Sequence, residues 1–289
     1  MKYYSPTNLD EIIMLLDKTR EEGAVILAGG TDVVPKINSA PERSGFYDRP
    51  SKAPKGKSII YIGNAGLNYI REEGNDIVIG AGTTMTAFLE NDLSKKLPVL
   101  CDAINNLAGL TIRNVATIGG NIINASPACD TVPALIALEA KVVIKGLSGE
   151  RTERIEDIFV DPGATNLSNV EVLKEIVVSV PAGKGEFIKL GRRKAETLAV
   201  VNCAAQAVMD AGKCEKIRIA IGSVAPTPLR LVEIEKMIEG NAVTDELIES
   251  AAKNVKNFIS PIDDNRSTAA YREQMAGVII KRAIQAVCQ

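Results

Sequence analysis

A chain of mixed helix and strand, folded into about two domains, is what the sequence predicts, and three observations carry that expectation. Its 289 residues exceed a single domain of roughly 100–200 residues. Short β-branched runs alternate along it with capped, amphipathic helical stretches. Hydrophobic residues make up 46% and charged residues 24%, the balance of an ordered globular chain. Aromatics are only 4% and Trp is absent, so the core rests on Ala, Val, Ile and Leu.

The first helix is signalled by Thr7 or Asn8 as cap, Asp10 and Glu11 in its first turn, and Ile12, Leu15 and Leu16 at helical spacing, with Gly23 as its stop. AVILAGGTDVV (24–34) reads as a short buried strand running into a double glycine, and 39–58, rich in Pro, Gly, Ser and Lys, as an exposed loop. SIIYI (58–62) and DIVIGAGTT (76–84) read as strands, Met85–Asn91 and Leu97–Asn106 as helices. The nearly uncharged 107–130 reads as a loop, TVPALIALEA as a helix, KVVIKG and LKEIVVSVP as strands. A further segment begins near Gly185 with the strand EFIKLGRR. It continues through an alanine-rich stretch and the strand CEKIRIAIGSV, and ends in helices near 244–257 and 268–287. On the last helix Met275, Val278, Ile279 and Arg282 recur at three-to-four spacing, a face for the sheet or for a partner subunit.

Several chemistries are excluded. The 34 basic and 36 acidic residues leave no positive excess to neutralise nucleic-acid phosphates. There is no histidine, hence no Ser-His-Asp triad, imidazole shuttle or His-ligated metal. The five cysteines are scattered and never form CxxC, so neither a disulfide framework nor a zinc or iron–sulfur site fits. The start lacks a basic-then-apolar signal region and no apolar run reaches the 18 or so residues of a membrane helix, which gives a reduced, cytoplasmic protein with no membrane span as the expectation. Hard chemistry then falls to a cofactor.

Two glycine clusters point to one. Ala28-Gly29-Gly30-Thr31-Asp32 follows an apolar strand, where a backbone without Cβ can approach a ligand closely and present N–H donors to phosphate. The plain alternative is a tight turn. Thr117-Ile118-Gly119-Gly120-Asn121, followed by Ser126 and Asp130, suits a loop along a polar, extended ligand, its amides facing pyrophosphate or a flavin edge; the alternative is a bend between core elements. Gly80-Ala81-Gly82 mimics a dinucleotide fingerprint, but its third glycine position is Met85, so no Rossmann phosphate loop is present.

LAGGTDVVPKI (27–37) and AGLTIRNVATIGGNIINASPACDTVPALIALEAKV (108–142) resemble the flavoprotein subunit of the molybdenum hydroxylases, the xanthine dehydrogenase and carbon monoxide dehydrogenase type. The likeness extends through LKEIVVSVP, FIKLGRRKAETLAVVNCAA, IAIGSVAPTPLR (219–230) and YREQMAGVIIKRAI (271–284), nearly the whole chain in order. The resemblance implies an α+β fold, the vanillyl-alcohol-oxidase-type (PCMH) two-subdomain FAD-binding fold followed by a smaller α+β C-terminal domain. The expected divisions are 1–57, 58–182 and 183–289. It implies that Ile26, Ala28, Gly29, Gly30, Thr31 and Asp32 line the first phosphate loop. Leu107 and Ala108 then flank the flavin, and Ile112, Ala116, Thr117, Gly120, Asn121 and Ile123 line the diphosphate side. Ser126 and Asp130 face the ribityl or adenosine side, Leu173 meets adenine, and Lys189 reaches the flavin or pyrimidine edge.

By the same resemblance the chain is an FAD electron-transfer subunit. Its partners are an iron–sulfur subunit carrying [2Fe–2S] and a subunit carrying the molybdenum cofactor, its acceptor NAD, and a purine the substrate that 219–230 suggests. No catalytic side chain and no metal ligand is expected in it. A self-contained reductase of the UDP-N-acetylenolpyruvoylglucosamine reductase type shares the FAD domain, but its proton-donating constellation is not found; a non-catalytic docking subunit is the third reading. Leu107 stands where vertebrate xanthine dehydrogenases tend to have Phe, Asn124 where Thr is common, and the four-cysteine insertion of the benzoyl-CoA-reducing branch is lacking. Lys189 and Arg192-Arg193-Lys194 form a cationic cluster that suits an anionic reduced flavin, a second dinucleotide or simply solvent. Cys129 reads as a packed small residue.

Overall fold

The computed structural model describes residues 2–38 and 58–289. Strands β1 (Lys2–Tyr4), β2 (Ala24–Leu27) and β3 (Ser58–Tyr61) form a parallel sheet in the order β1-β3-β2. Helix α1 (Leu9–Lys18) starts where Asn8 Oδ1 accepts from Glu11 N at 2.9 Å and Glu11 accepts from Thr7 N at 2.8 Å, which satisfies amides the first turn leaves unpaired. Its Ile12, Ile13 and Leu16 pack on Ile60 and Ile62. The strand expected over 24–34 ends at Leu27, and Val33 opens helix α2 (Val33–Asn38). The loop expected over 39–58 lies outside the described residues except for Ser58, which is buried at the start of β3. The first sheet therefore takes chain from both sides of residue 57.

The second layer runs β4 (Ile70–Glu73), β5 (Asp76–Gly80), α3 (Met85–Glu90), α4 (Pro98–Asn105), α5 (Leu110–Arg113), α6 (Ile118–Ile123), α7 (Thr131–Ala137), β6 (Lys141–Gly146), β7 (Gly149–Arg154), β8 (Phe159–Asp161), β9 (Ala164–Thr165) and β10 (Val172–Ser179). Its sheet is antiparallel in the order β4-β5-β10-β6-β7, and β8 pairs with β9. Every residue of α7 is buried. The expected loop at 107–130 contains two short helices: Thr117 Oγ1 accepts from Gly120 N at 3.0 Å and starts α6, a capping role that outweighs the poor helix propensity of two glycines. Gly80 and Gly82 donate their amides to Tyr69 O and Leu67 O, both at 2.9 Å, so this glycine pair serves a close chain crossing.

The last segment forms β11 (Lys184–Gly191), β12 (Ala199–Asp210), β13 (Lys213–Gly222) and β14 (Leu229–Arg230), antiparallel in sequence order, then α8 (Val232–Ile238), α9 (Asp245–Asn254) and α10 (Ala269–Cys288). The alanine-rich stretch is the central strand β12. Alternation sends Cys203, Ala205 and Ala207 into the core with Ile279 and Ile280 of α10, while Ala204 and Ala220 face the core that holds α7. Small residues let α7 approach this sheet. On α10 the packed face holds Ile279 but not Arg282, which is exposed; Arg272 is the buried cation, donating to Val200 O at 2.8 Å, Ser223 O at 3.0 Å and Asp264 Oδ1 at 2.7 Å. Among the described residues no helix is long and apolar enough to cross a membrane.

Glu139, just past α7, receives Arg218 at 2.7 Å and Lys216 from β13. Burial alone would raise its carboxyl, yet these cations hold it at about 2, against an ordinary 4.5. A lowered folded value stabilises the protein above the unfolded value and loses that contribution as pH falls through the folded one. Glu139→Gln is expected to cost about 1 kcal/mol at neutral pH, since the side chain is 38% exposed and solvent screens the pair. Denaturant melts of the two proteins should converge between pH 4.5 and about 2.

Candidate functional site

A cavity of about 670 Å³ opens between α1, the Gly29–Asp32 loop, α6 and the 163–173 segment. Its size lies within the roughly 300–1,000 Å³ of small-molecule sites. The structure brings Ile26, Ala28, Gly29, Gly30, Thr31 and Asp32 to its wall, and opposite them Ala116, Thr117, Gly120, Asn121 and Ile123, with Leu173 at another side.

The first loop is a donor cradle. Among the described residues, the backbone N–H groups of Gly29, Gly30, Thr31 and Asp32 meet no protein acceptor. Successive free amides concentrate positive potential suited to phosphate oxygens. Two constraints make the glycines necessary. A Cβ on Gly29 would lie 1.8 Å from Val115 O, and Gly30 holds φ +73°, a region that costs other residues strain.

The second motif works differently from the expectation. Ile118 N donates to Thr83 O at 2.9 Å, Gly119 N to Ala81 O at 3.0 Å, and Gly120 N to Thr117 Oγ1. These amides are consumed by the fold and do not face a ligand. Gly119 is small because α6 presses on Ala81, whose Cβ would lie 2.6 Å from a Cβ placed there. This wall offers side chains instead: Asn121 Oδ1 accepts from Thr131 Oγ1 at 2.6 Å, leaving its amide nitrogen as donor.

The other expected residues lie off the cavity. Asp130 and Lys189 bond each other: Lys189 Nζ donates to Asp130 Oδ2 at 2.6 Å and to Asn106 O at 2.8 Å, while Asn202 Nδ2 donates to Asp130 Oδ1 at 2.9 Å. Both charged side chains are only 6% exposed. Together they form a buried lock between α7 and the last sheet, because each charge needs the other once out of water. Burial pushes the Asp130 carboxyl up, opposed by Lys189 and Asn202. Asp130 makes no side-chain cap to α7. Ser126 Oγ accepts from Ala128 N at 3.3 Å. Leu107 joins the core, Ala108 takes φ +44° with its carbonyl held by Arg113 Nη1 at 2.8 Å, and Ile112 is exposed on α5. Arg192 and Arg193 donate to the carbonyls of Asn265 and Glu196.

Sequence reasoning missed Arg20, Lys36 and the 163–171 wall. That wall carries only turn-forming composition, and its Glu171 is held down to about 2 chiefly by Arg151, whose Nε lies 2.8 Å away. Cys129 is buried and its thiol is pushed up to about 12. Among the described residues no His, Cys, Asp and Glu cluster could hold a metal.

The family pattern described as the FAD binding domain in molybdopterin dehydrogenase matches residues 1–182, and that of the CO dehydrogenase flavoprotein C-terminal domain matches 186–287. The carbon monoxide dehydrogenase medium chain of Hydrogenophaga pseudoflava is 32% identical over 292 aligned positions, covering 99% of this chain and 96% of the relative. The putative xanthine dehydrogenase FAD-binding subunit of Escherichia coli is 29% identical, covering 98% of this chain and 94% of the relative. The solved carbon monoxide dehydrogenase of H. pseudoflava lacking the Mo-pyranopterin moiety superimposes with a TM-score of 0.90 at 33% identity, covering 99% of this chain and 96% of that one.

The lock yields a prediction. Asp130→Leu strands Lys189 without a counter-charge, and should destabilise the chain by about 3–5 kcal/mol, whereas Asp130→Leu with Lys189→Met should recover most of that loss. Urea unfolding of the three proteins measures it; a double variant as weak as the single would show that the pair is not what matters.

Proposed function

Since the chain belongs to the family of FAD-binding subunits of molybdenum hydroxylases, we propose that it receives electrons from a separate [2Fe–2S] subunit and passes them through FAD to NAD or another acceptor. The molybdenum cofactor and the oxidised substrate then belong to a third chain. The observation that carries this reading is the set of amides of Gly29, Gly30, Thr31 and Asp32, free among the described residues, on the wall of the cavity. These residues fit a diphosphate, whose oxygens accept where no described residue supplies an acceptor.

In this reading the first loop holds the diphosphate, with Ile26 and Ala28 beneath it. Thr117, Gly120 and Asn121 close the facing wall beside Ala116 and Ile123, and Leu173 gives adenine an apolar contact. Leu107 and Ala108 flank the flavin, Ile112 belongs to the diphosphate side and Ser126 faces the ribityl or adenosine side. Asp130 and Lys189 hold the C-terminal sheet against that site. FAD, when bound, supplies electron exchange that no side chain here can perform. The purine expectation rests on residues 219–230, and relatives named for carbon monoxide and for xanthine are of similar identity. A cytoplasmic setting is part of the same proposal.

Gly30→Val tests the cradle. A branched side chain at φ +73°, with its Cβ 3.1 Å from Val34 Cγ2, distorts the amides, so the purified variant is expected to lose its flavin absorbance while retaining its far-ultraviolet spectrum. Stoichiometric flavin in that variant would reduce the loop to a turn. Acceptor identity is tested separately: the isolated chain with FAD should reduce an artificial dye with NADH and leave xanthine untouched. Xanthine turnover by the single chain overturns the division of labour, and a flavin reducible by the iron–sulfur partner but never by NADH removes NAD.

A further inference from the structure

Lys36 bridges the first glycine loop and the end of α6. Its Nζ donates to Asp32 Oδ2 in the first loop and, at 3.3 Å, to Asn124 Oδ1 at the end of α6. Asn124 stands where the family resemblance leads one to expect Thr, and its longer amide side chain supplies the carbonyl that Lys36 engages. An ammonium has three donors. Among the described residues two acceptors are engaged, and Lys36 is one of the residues that line the cavity.

The charge pattern of the wall explains why a cation is needed at this place. Asp32 belongs to the loop of free amides, and a bare carboxylate there would repel any anionic ligand. Arg20 and Glu171 are the other charged residues of the lining. Glu171 is already neutralised by Arg151 at 2.8 Å, and Arg20 belongs to the turn after α1, with no bond to either glycine motif.

We propose that Lys36 binds the diphosphate of the ligand, straddling the first glycine loop and the end of α6, cancelling the charge of Asp32 and giving its third N–H to a phosphate oxygen. The proposal rests on the FAD reading and names a residue toward that group. Its side chain is 44% exposed, so replacement leaves the core intact.

The test titrates the full chain, stripped of flavin, with FAD by fluorescence, and with ADP and adenosine by competition. Lys36→Met is expected to weaken FAD and ADP by about tenfold at low salt, the scale of a lost charge-assisted hydrogen bond, and to leave adenosine unchanged. The deficit should shrink toward molar salt as screening rises, and Lys36→Arg should stay close to the parent protein. FAD affinity unchanged in Lys36→Met overturns the proposal. So does a loss that is equal for adenosine and insensitive to salt, which would make Lys36 a prop between loops. Failure of the parent chain to bind FAD overturns the FAD reading and this inference with it, an outcome distinct from the other two.

Discussion

One buried lysine fixes how the two halves of the molecule meet. Lys189 lies on β11 of the last sheet, and its partners Asp130 and Asn106 lie at the start of α7 and just past α4. The surface they cross is built from small apolar residues, Ala204 and Ala220 among them. Apolar contact of that kind is favourable but non-directional. A charge pair taken out of water, by contrast, tolerates little displacement, because any gap leaves desolvated charge unpaired. Asn202 adds a second bond to Asp130 and another to Cys129 O at 2.9 Å, so the strand and the loop feeding α7 are held at three points. The wetter Glu139 cluster joins the same halves and adds little register of its own.

With α7 held, the 107–130 segment leading into it is held as well, and that places the second glycine motif against the first. The contact is tight: Gly29 passes beneath Val115 O with no room for a methyl group. The two motifs look alike in sequence but divide their work. The first keeps its amides free among the described residues, with a positive φ at Gly30. The second spends its amides on Thr83, Ala81 and Thr117, and its glycines give α6 a close seat on the strand end. Free donors on one wall and a rigid backbone on the other are what an anion-binding cleft requires.

Much of this was legible in the chain. Helix α1 showed itself through its caps, α10 through its apolar periodicity, and the Gly29–Asp32 loop through glycines following an apolar strand. The central strand β12 was not legible, because alanine satisfies helix propensity while its position is decided by two flanking layers. Asp130 and Lys189 drew notice as polar residues in the right motifs, but nothing local reveals that they lie 59 positions apart in sequence and 2.6 Å apart in space. The same holds for Lys36 and Asn124, whose meeting depends on the fold and not on spacing. Arg272 shows the reverse error, since a periodic face assigned from sequence included Arg282 and missed the cation that is buried.

The thiols of the chain are all shifted the same way. Thiolates, not thiols, react with disulfides and carry nucleophilic sulfur chemistry. Burial raises all five thiols: Cys129 and Cys288 to about 12, Cys203 higher still, and Cys101 and Cys214 upward as well. Cys129, Cys203 and Cys214 are buried, and Cys101 and Cys288 half-buried. The sequence also has no histidine to relay protons. What the buried charges visibly do is keep the two halves in register, through Lys189, Asp130 and Asn202.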